Sequence, residues 1–181
     1  MENEIQQFLT YLEVERDASY NTLRAYQRDI TELTEFLKRT GQSRNSQGDI
    51  TVSQVDRHAI QSFISYLHSH RRSRATMERK IASIRSFFRF LKSRNLVSSN
   101  PTVSIPLPRQ QRKLPKYLTP AEAAKLLDLP PAVQGLKALR NFAMAELMYA
   151  TGIRVSELVA IDIPDLDWHQ MELRVFGKGN K

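Results

Sequence analysis

The chain of 181 residues is 41% hydrophobic and 25% charged, and its formal net charge is +8. It contains no cysteine, which excludes both a disulfide framework and a thiolate metal site. Its acidic, periodic N-terminus is unlike a signal peptide, and no apolar run approaches the roughly 18 residues of a membrane span. These features predict a cytoplasmic protein of one domain or two small ones, without membrane association.

The basic charge is concentrated in the middle of the chain. Residues 1–56 hold six Lys/Arg and ten Asp/Glu. Residues 57–116 hold fourteen Lys/Arg and one Asp/Glu, and residues 117–181 hold seven Lys/Arg and eight Asp/Glu. The segment charges are therefore −4, +13 and −1, which sum to +8. A charge run is often only a solvated surface, but a segment with a single acid, Glu78, favours binding to a polyanion such as nucleic acid.

Apolar spacing predicts four helices in the first hundred residues. The predicted helices lie near residues 5–12, 23–37, 55–67 and 77–91. Ser19 is expected to cap the second helix, Ser53 with Asp56 to open the third, and Ser73 to cap the fourth. Four amphipathic helices of this length predict a compact bundle, which we assign to residues 1–99.

The fourth predicted helix has a basic edge beside its apolar stripe. Four cations on this helix fall within about 60° of arc at 100° per residue, and two more come just before it. These candidate contacts to double-stranded DNA are Arg71, Arg72, Arg74, Arg85, Arg89 and Lys92. A continuous basic edge can follow a phosphate backbone. Long side chains that only lie over a helix surface are the alternative.

Residues 100–116 predict a basic, proline-rich connector. Prolines at this density prevent a helix and favour an extended, semi-rigid chain. Arg109 and Arg112 are further candidate DNA contacts, and a disordered tether is the alternative interpretation. The apolar residues that indicate partial packing are Val103, Ile105 and Leu107.

Residues 117–181 predict a second module. Thr119 and Glu122 flank Pro120 with the spacing of a complete capping box, which predicts a helix start. A longer helix is expected from about residue 135 to Gly152, and a short one after Arg154. Downstream, the pattern predicts a turn at 164–168, a strand at 171–176 and a hairpin turn at 177–180.

Arg154 lies between Ile153 and Val155 at the junction of two predicted helices, and we interpret this junction as a buried corner. The stretches "YATGIRVSELVAI" and "RVFGKGNK" resemble the tyrosine recombinases, the phage-integrase family, and most closely its bacterial Xer-type members. The resemblance implies a mainly α fold over the whole chain. It comprises a four-helix core-binding (SAM-like) bundle, a basic linker, and a truncated α+β catalytic domain over residues 117–181.

The resemblance also implies roles for three residues. Arg154 matches the arginine that holds the scissile phosphate, and a planar guanidinium fork suits two phosphate oxygens. Lys178 matches the hairpin lysine that protonates the departing 5′-hydroxyl, because an alkoxide is a poor leaving group. Glu157 matches an acidic position that supports the site, although it could equally satisfy the helix start alone.

The resemblance places the family's His-x-x-Arg element, a further His or Trp, and the nucleophilic tyrosine after the hairpin, whereas this chain stops at Lys181. Two functions stay open: an inactive DNA-binding fragment of a recombinase that works through a 3′-phosphotyrosyl intermediate, and a naturally short, non-catalytic relative that occupies recombination sites. We expect no cofactor or metal, because the four histidines lack partners at ligand spacing. The family forms tetramers on two DNA duplexes, with a paralogous recombinase as a further partner, whereas this chain is expected to be monomeric off DNA.

Overall fold

The computed structural model describes residues 1–106, 117–128 and 135–177. The chain forms two compact units, Met1–Lys113 and Leu114–Lys181. The described residues are mainly helical, as the sequence predicts, with one small two-stranded sheet. No helix among them is both long enough and apolar enough to cross a membrane.

The first unit is built on four helices, as predicted. They are α1 (Glu2–Val14), α2 (Tyr20–Thr40), α3 (Arg57–Ser69) and α4 (Arg74–Ser93). Their apolar stripes meet in a single core, in which the aromatic rings of Phe8, Phe63, Phe87 and Phe88 are fully buried. Because each stripe buries one face of its helix, the opposite faces stay in solvent.

The helix starts show which predicted caps form. The hydroxyl of Ser19 accepts a hydrogen bond from the backbone N–H of Thr22, and Ser73 caps α4 in the same way. The prediction that Ser53 helps to open α3 is wrong, since Ser53 lies in a separate 3₁₀ turn, Val52–Gln54. The carboxylate of Asp56 alone caps α3, 2.7 Å from the backbone N of Ala59.

The chain after α4 packs back onto the bundle as far as the described residues extend. Ile105 is buried in the core, as its apolar character predicts, together with Val97. The prediction that Val103 packs against the protein is wrong, because its side chain is 75% exposed. Leu107 lies outside the described residues.

The second unit contains three helices and a hairpin in its described part. They are α5 (Pro120–Leu127), α6 (Leu136–Thr151), α7 (Val155–Val159), β1 (Leu166–Asp167) and β2 (Glu172–Leu173). The capping box of α5 forms as predicted, with Thr119 and Glu122 each bonding the other's backbone N–H. A left-handed Gly152, at φ 68°, ends α6 where the sequence predicts.

The hairpin differs from its prediction. The segment predicted as a turn, residues 164–168, contains β1, which pairs antiparallel with β2. Of the strand predicted at 171–176, only the two residues of β2 form a regular strand. The chain reverses between them because the side chain of Asp167 accepts the backbone N–H groups of His169 and Gln170. The predicted hairpin turn at 177–180 lies almost wholly outside the described residues.

Candidate nucleic-acid interface and phosphate site

The predicted basic residues around α4 form an exposed surface, which we call the α4 basic face. Its members are Arg71, Arg72, Arg74, Arg89 and Lys92, all of them exposed. Arg71 has a left-handed backbone, at φ 52°, in the turn between α3 and α4. The tight turn brings Arg71 and Arg72 to the start of α4, and the helix then presents Arg89 and Lys92 further along.

Most of these cations lack an acidic neighbour. Within the ranges that the structure describes, Arg71, Arg74, Arg89 and Lys92 form no salt bridge, whereas Arg72 lies 3.8 Å from a carboxylate oxygen of Glu32. An exposed cation without a protein partner keeps its hydrogen-bond donors available to an anion. The α4 basic face therefore has the charge and the free donors that a phosphate backbone requires.

Other cations of the basic segment are paired with acidic residues of the first unit. Arg79 and Lys80 pair with Asp29, and Arg94 lies 2.6 Å from a carboxylate oxygen of Glu15. The acids come from α2 and from the residue that ends α1, so the acidic first third of the chain partly compensates the basic middle. The sequence-based charge of +13 thus overstates the free positive charge of the folded unit.

A buried charge network joins α2 to α4. Asp29 is fully buried, and its carboxylate accepts hydrogen bonds from Lys80 at 2.9 Å, from Ser83 at 3.2 Å and from Arg79. Lys80 is 4% exposed at its side chain and also donates to Glu32 at 2.6 Å. The hydrogen bonds compensate the desolvation of these charges, so the network fixes how the two helices pack.

Arg85 differs from the other predicted DNA contacts. It is half-buried, and its Nη2 donates a 2.7 Å hydrogen bond to the backbone carbonyl of Ile105. Contact of Arg85 with DNA stays a prediction, but part of its guanidinium is already engaged within the protein.

Arg154 lies at the tight junction between α6 and α7. Gly152 ends α6, and Arg154 has the extended backbone of an N-cap residue, with φ −77° and ψ 154°. Its carbonyl accepts the N–H of Leu158, which is buried and anchors α7. The side chain of Arg154 therefore projects from a fixed point of the backbone.

Glu157 holds both the backbone and the side chain of Arg154. One carboxylate oxygen accepts the backbone N–H of Arg154 at 2.7 Å, and the other accepts from its Nη1 at 2.8 Å. These bonds, the backbone one first, lower the pKa of Glu157 below its ordinary value. The carboxylate thus stays charged to lower pH and continues to hold the guanidinium.

The prediction that Arg154 occupies a buried corner is wrong. Its side chain is 74% exposed, although that of Glu157 is only 11% exposed. The apolar neighbours do not enclose the cation, because Val155 itself faces solvent and nothing in the described residues packs over it. The exposed guanidinium keeps donors that Glu157 does not use, as an oxyanion ligand requires.

Three of the predicted site residues cannot be placed. Lys178, Arg109 and Arg112 lie outside the described residues, so their roles stay predictions. No group of His, Cys, Asp and Glu that could hold a metal ion occurs in the part of the chain that is described.

The buried network and the hydrogen bond from Arg85 to Ile105 were not predicted from the sequence. A signal for the network was present, because Asp29 and Lys80 each fall in an apolar stripe, three residues after Tyr26 and Met77 respectively. A charge at a stripe position on two helices of one bundle indicates a buried pair. The bond from Arg85 has no such signal, since its acceptor is a backbone carbonyl.

Comparison with known proteins covers both units. Residues 5–95 match the family model described as phage integrase, N-terminal SAM-like domain, and residues 116–181 match the one described as phage integrase family. The chain therefore belongs to the phage integrase family.

The relatives specify the branch of the family. The chain is 38% identical over 183 residues to tyrosine recombinase XerC of Herpetosiphon aurantiacus. The alignment covers 100% of this chain and 57% of the relative. It is 36% identical over 181 residues to tyrosine recombinase XerD of Oceanobacillus iheyensis. That alignment covers 100% of this chain and 58% of the relative. The chain thus resembles Xer recombinases throughout and spans little more than half of their length.

Proposed function

We propose that this chain binds the double-stranded DNA of a recombination site in the cytoplasm, as part of a site-specific tyrosine recombinase. The observation that carries the proposal is the α4 basic face, whose exposed cations are largely unpaired among the described residues although neighbouring cations pair with acids. The similarity to proteins named tyrosine recombinase XerC and XerD supports the proposed recombination activity. Arg109 and Arg112 of the connector are proposed to extend the contact with DNA.

The proposed chemistry assigns one step to each residue of the second unit. Arg154 binds two oxygens of the scissile phosphate and stabilises the charge that develops when a nucleophile attacks. Glu157 holds the guanidinium in place, as its two hydrogen bonds support. Lys178 donates a proton to the 5′-oxygen as the bond to phosphorus breaks. The nucleophilic tyrosine is proposed to be absent from these 181 residues, so the chain alone does not cleave DNA.

The proposed assembly follows the family. The complete recombinase acts as a tetramer on two duplexes, and a paralogous recombinase is a further candidate partner. This chain alone is proposed to be monomeric away from DNA. The second candidate function is a short relative that occupies recombination sites without cutting them. It would use the same α4 basic face and the same exposed Arg154, without the chemistry of strand cleavage.

Binding to duplex DNA should weaken steeply as salt rises. If the chain neutralises about six phosphates, log affinity is expected to fall with log salt at a slope of about −5. Arg89→Ala and Lys92→Ala should each make the slope less negative by about 0.9, because each removes one phosphate contact. Fluorescence anisotropy with a labelled duplex between 50 and 200 mM salt, roughly the range in which such contacts are lost, measures the slope.

Lys38→Ala is the matched control, because Lys38 is an exposed lysine of the same unit that lies on α2 and pairs with Glu2. Its slope should equal that of the wild type. If Lys92→Ala and Lys38→Ala change the slope equally, the positive charge acts diffusely and the α4 basic face is not the interface.

A further inference from the structure

The chain that follows α4 forms a compact turn over residues 100–105. The side-chain oxygen of Asn100 accepts hydrogen bonds from the backbone N and the hydroxyl of Thr102, at 2.9 and 2.7 Å. Thr102 is fully buried, and its carbonyl accepts the N–H of Ile105 at 3.2 Å. We call residues 100–105 the anchor turn. It is the beginning of the segment that the sequence predicts as a connector.

Ile105 attaches the anchor turn to the bundle at two points. Its side chain is buried in the core, and its carbonyl oxygen accepts the 2.7 Å hydrogen bond from Nη2 of Arg85. Pro106 follows at once and restricts Ile105 to an extended backbone. The carbonyl of Ile105 is therefore an acceptor held at a fixed place on the bundle.

The bond from Arg85 to the carbonyl of Ile105 is a charge-assisted hydrogen bond. A charged donor gives a shorter and stronger hydrogen bond than a neutral one, and this bond is partly buried. It also spans 20 residues of chain, so it ties the connector to the middle of α4. An exposed arginine that serves only phosphate would have no such internal partner, and among the described residues Arg74 and Arg89 have none.

We propose that Arg85 is a positioning residue that fastens the start of the connector to α4, and thereby holds the backbone of the anchor turn against the bundle at Ile105. Arg85 then acts on the connector, whereas the α4 basic face is the part proposed to act on DNA. This role belongs to the free protein and does not depend on the proposed recombination chemistry.

Hydrogen exchange of the 181-residue chain in the absence of DNA tests the proposal. Arg85→Met keeps the apolar stem and removes the donors. It is expected to raise the exchange rates of the Val103 and Ile105 amides about tenfold, because the charged hydrogen bond that holds the turn is lost. Arg85→Lys keeps a cationic donor and should hold both rates within about threefold of the wild type. The amide of Phe63 reports whether the bundle itself stays folded.

Two further variants distinguish a role of Arg85 in holding the anchor turn from a role in binding DNA. Asn100→Ala breaks the anchor turn directly and should raise the same two exchange rates with Arg85 intact, while Arg89→Met should leave them unchanged. The salt slope of DNA binding should change less in Arg85→Met than in Arg89→Met, because part of the Arg85 guanidinium is engaged within the protein. Unchanged exchange at Ile105 in Arg85→Met would overturn the proposal. So would a slope that changes in Arg85→Met as much as in Arg89→Met, since that result makes Arg85 a phosphate ligand.

Discussion

Arg154→Ala, in a chain extended to the full length of the XerC relatives, is expected to lose covalent DNA cleavage almost completely while it keeps nearly all of its DNA affinity. In its proposed role Arg154 binds the phosphate as a preorganised donor, because its side chain is exposed and held by Glu157. Removing one such donor from a developing oxyanion costs on the order of a hundredfold to a thousandfold in rate. Affinity changes little, because one phosphate contact among about six is lost.

The covalent intermediate on a suicide DNA substrate, measured over time on a denaturing gel, gives the cleavage rate. Arg140→Ala is the matched control, because Arg140 is an exposed arginine of α6 that hydrogen-bonds only its neighbour Asn141 among the described residues. It should cleave at the wild-type rate. Equal rates for Arg154→Ala and Arg140→Ala would remove Arg154 from the catalytic site.

Asp29→Ala should destabilise the first unit by about 3–5 kcal/mol. Asp29 is fully buried and is the shared acceptor for Arg79, Lys80 and Ser83, so the substitution removes one of the two carboxylates that compensate the buried ammonium of Lys80 and leaves Glu32. The urea midpoint of unfolding, followed by circular dichroism, measures the loss. The slope of the transition should change little if unfolding stays two-state.

Two controls show that charge, and not only lost volume, causes the effect. Glu2→Ala breaks the exposed pair between Glu2 and Lys38 and should cost at most about 1 kcal/mol. Combining Asp29→Leu with Lys80→Met replaces both buried partners by apolar groups, and should recover much of the stability lost in Asp29→Ala. A loss in Asp29→Ala no greater than that in Glu2→Ala would contradict the importance of the network.

Local signals predicted the helices well. Ser19, Ser73 and Thr119 each precede an apolar periodic run, and each side chain accepts the backbone N–H three residues later. Gly152 was predicted to end α6 because the apolar pattern stops there, and the structure gives it the left-handed backbone that glycine adopts readily at a helix end. Such features depend on a few neighbouring residues, so a sequence contains all the information that they need.

Features that depend on distant partners were predicted less well. Ser53 has the right residue type for a cap, but the neighbouring Asp56 takes that role. The exposure of Arg154 depends on what packs over α7, which its flanking apolar residues do not reveal. The bond from Arg85 to Ile105 joins a side chain to a backbone carbonyl 20 residues away, and no residue pattern encodes such a pair.

We propose that this chain combines a DNA-binding bundle with the arginine of a recombinase site, and that its 181 residues do not include the nucleophile. A suicide duplex incubated with the 181-residue chain tests it most directly, with the extended chain as the positive control. We expect a salt-sensitive complex on a native gel and no covalent adduct on a denaturing gel, because covalent catalysis needs an activated nucleophile. The tyrosines available in the chain are Tyr11, Tyr20, Tyr26, Tyr66, Tyr117 and Tyr149. A covalent adduct formed by the 181-residue chain would contradict the account, since one of these six tyrosines would then be the nucleophile.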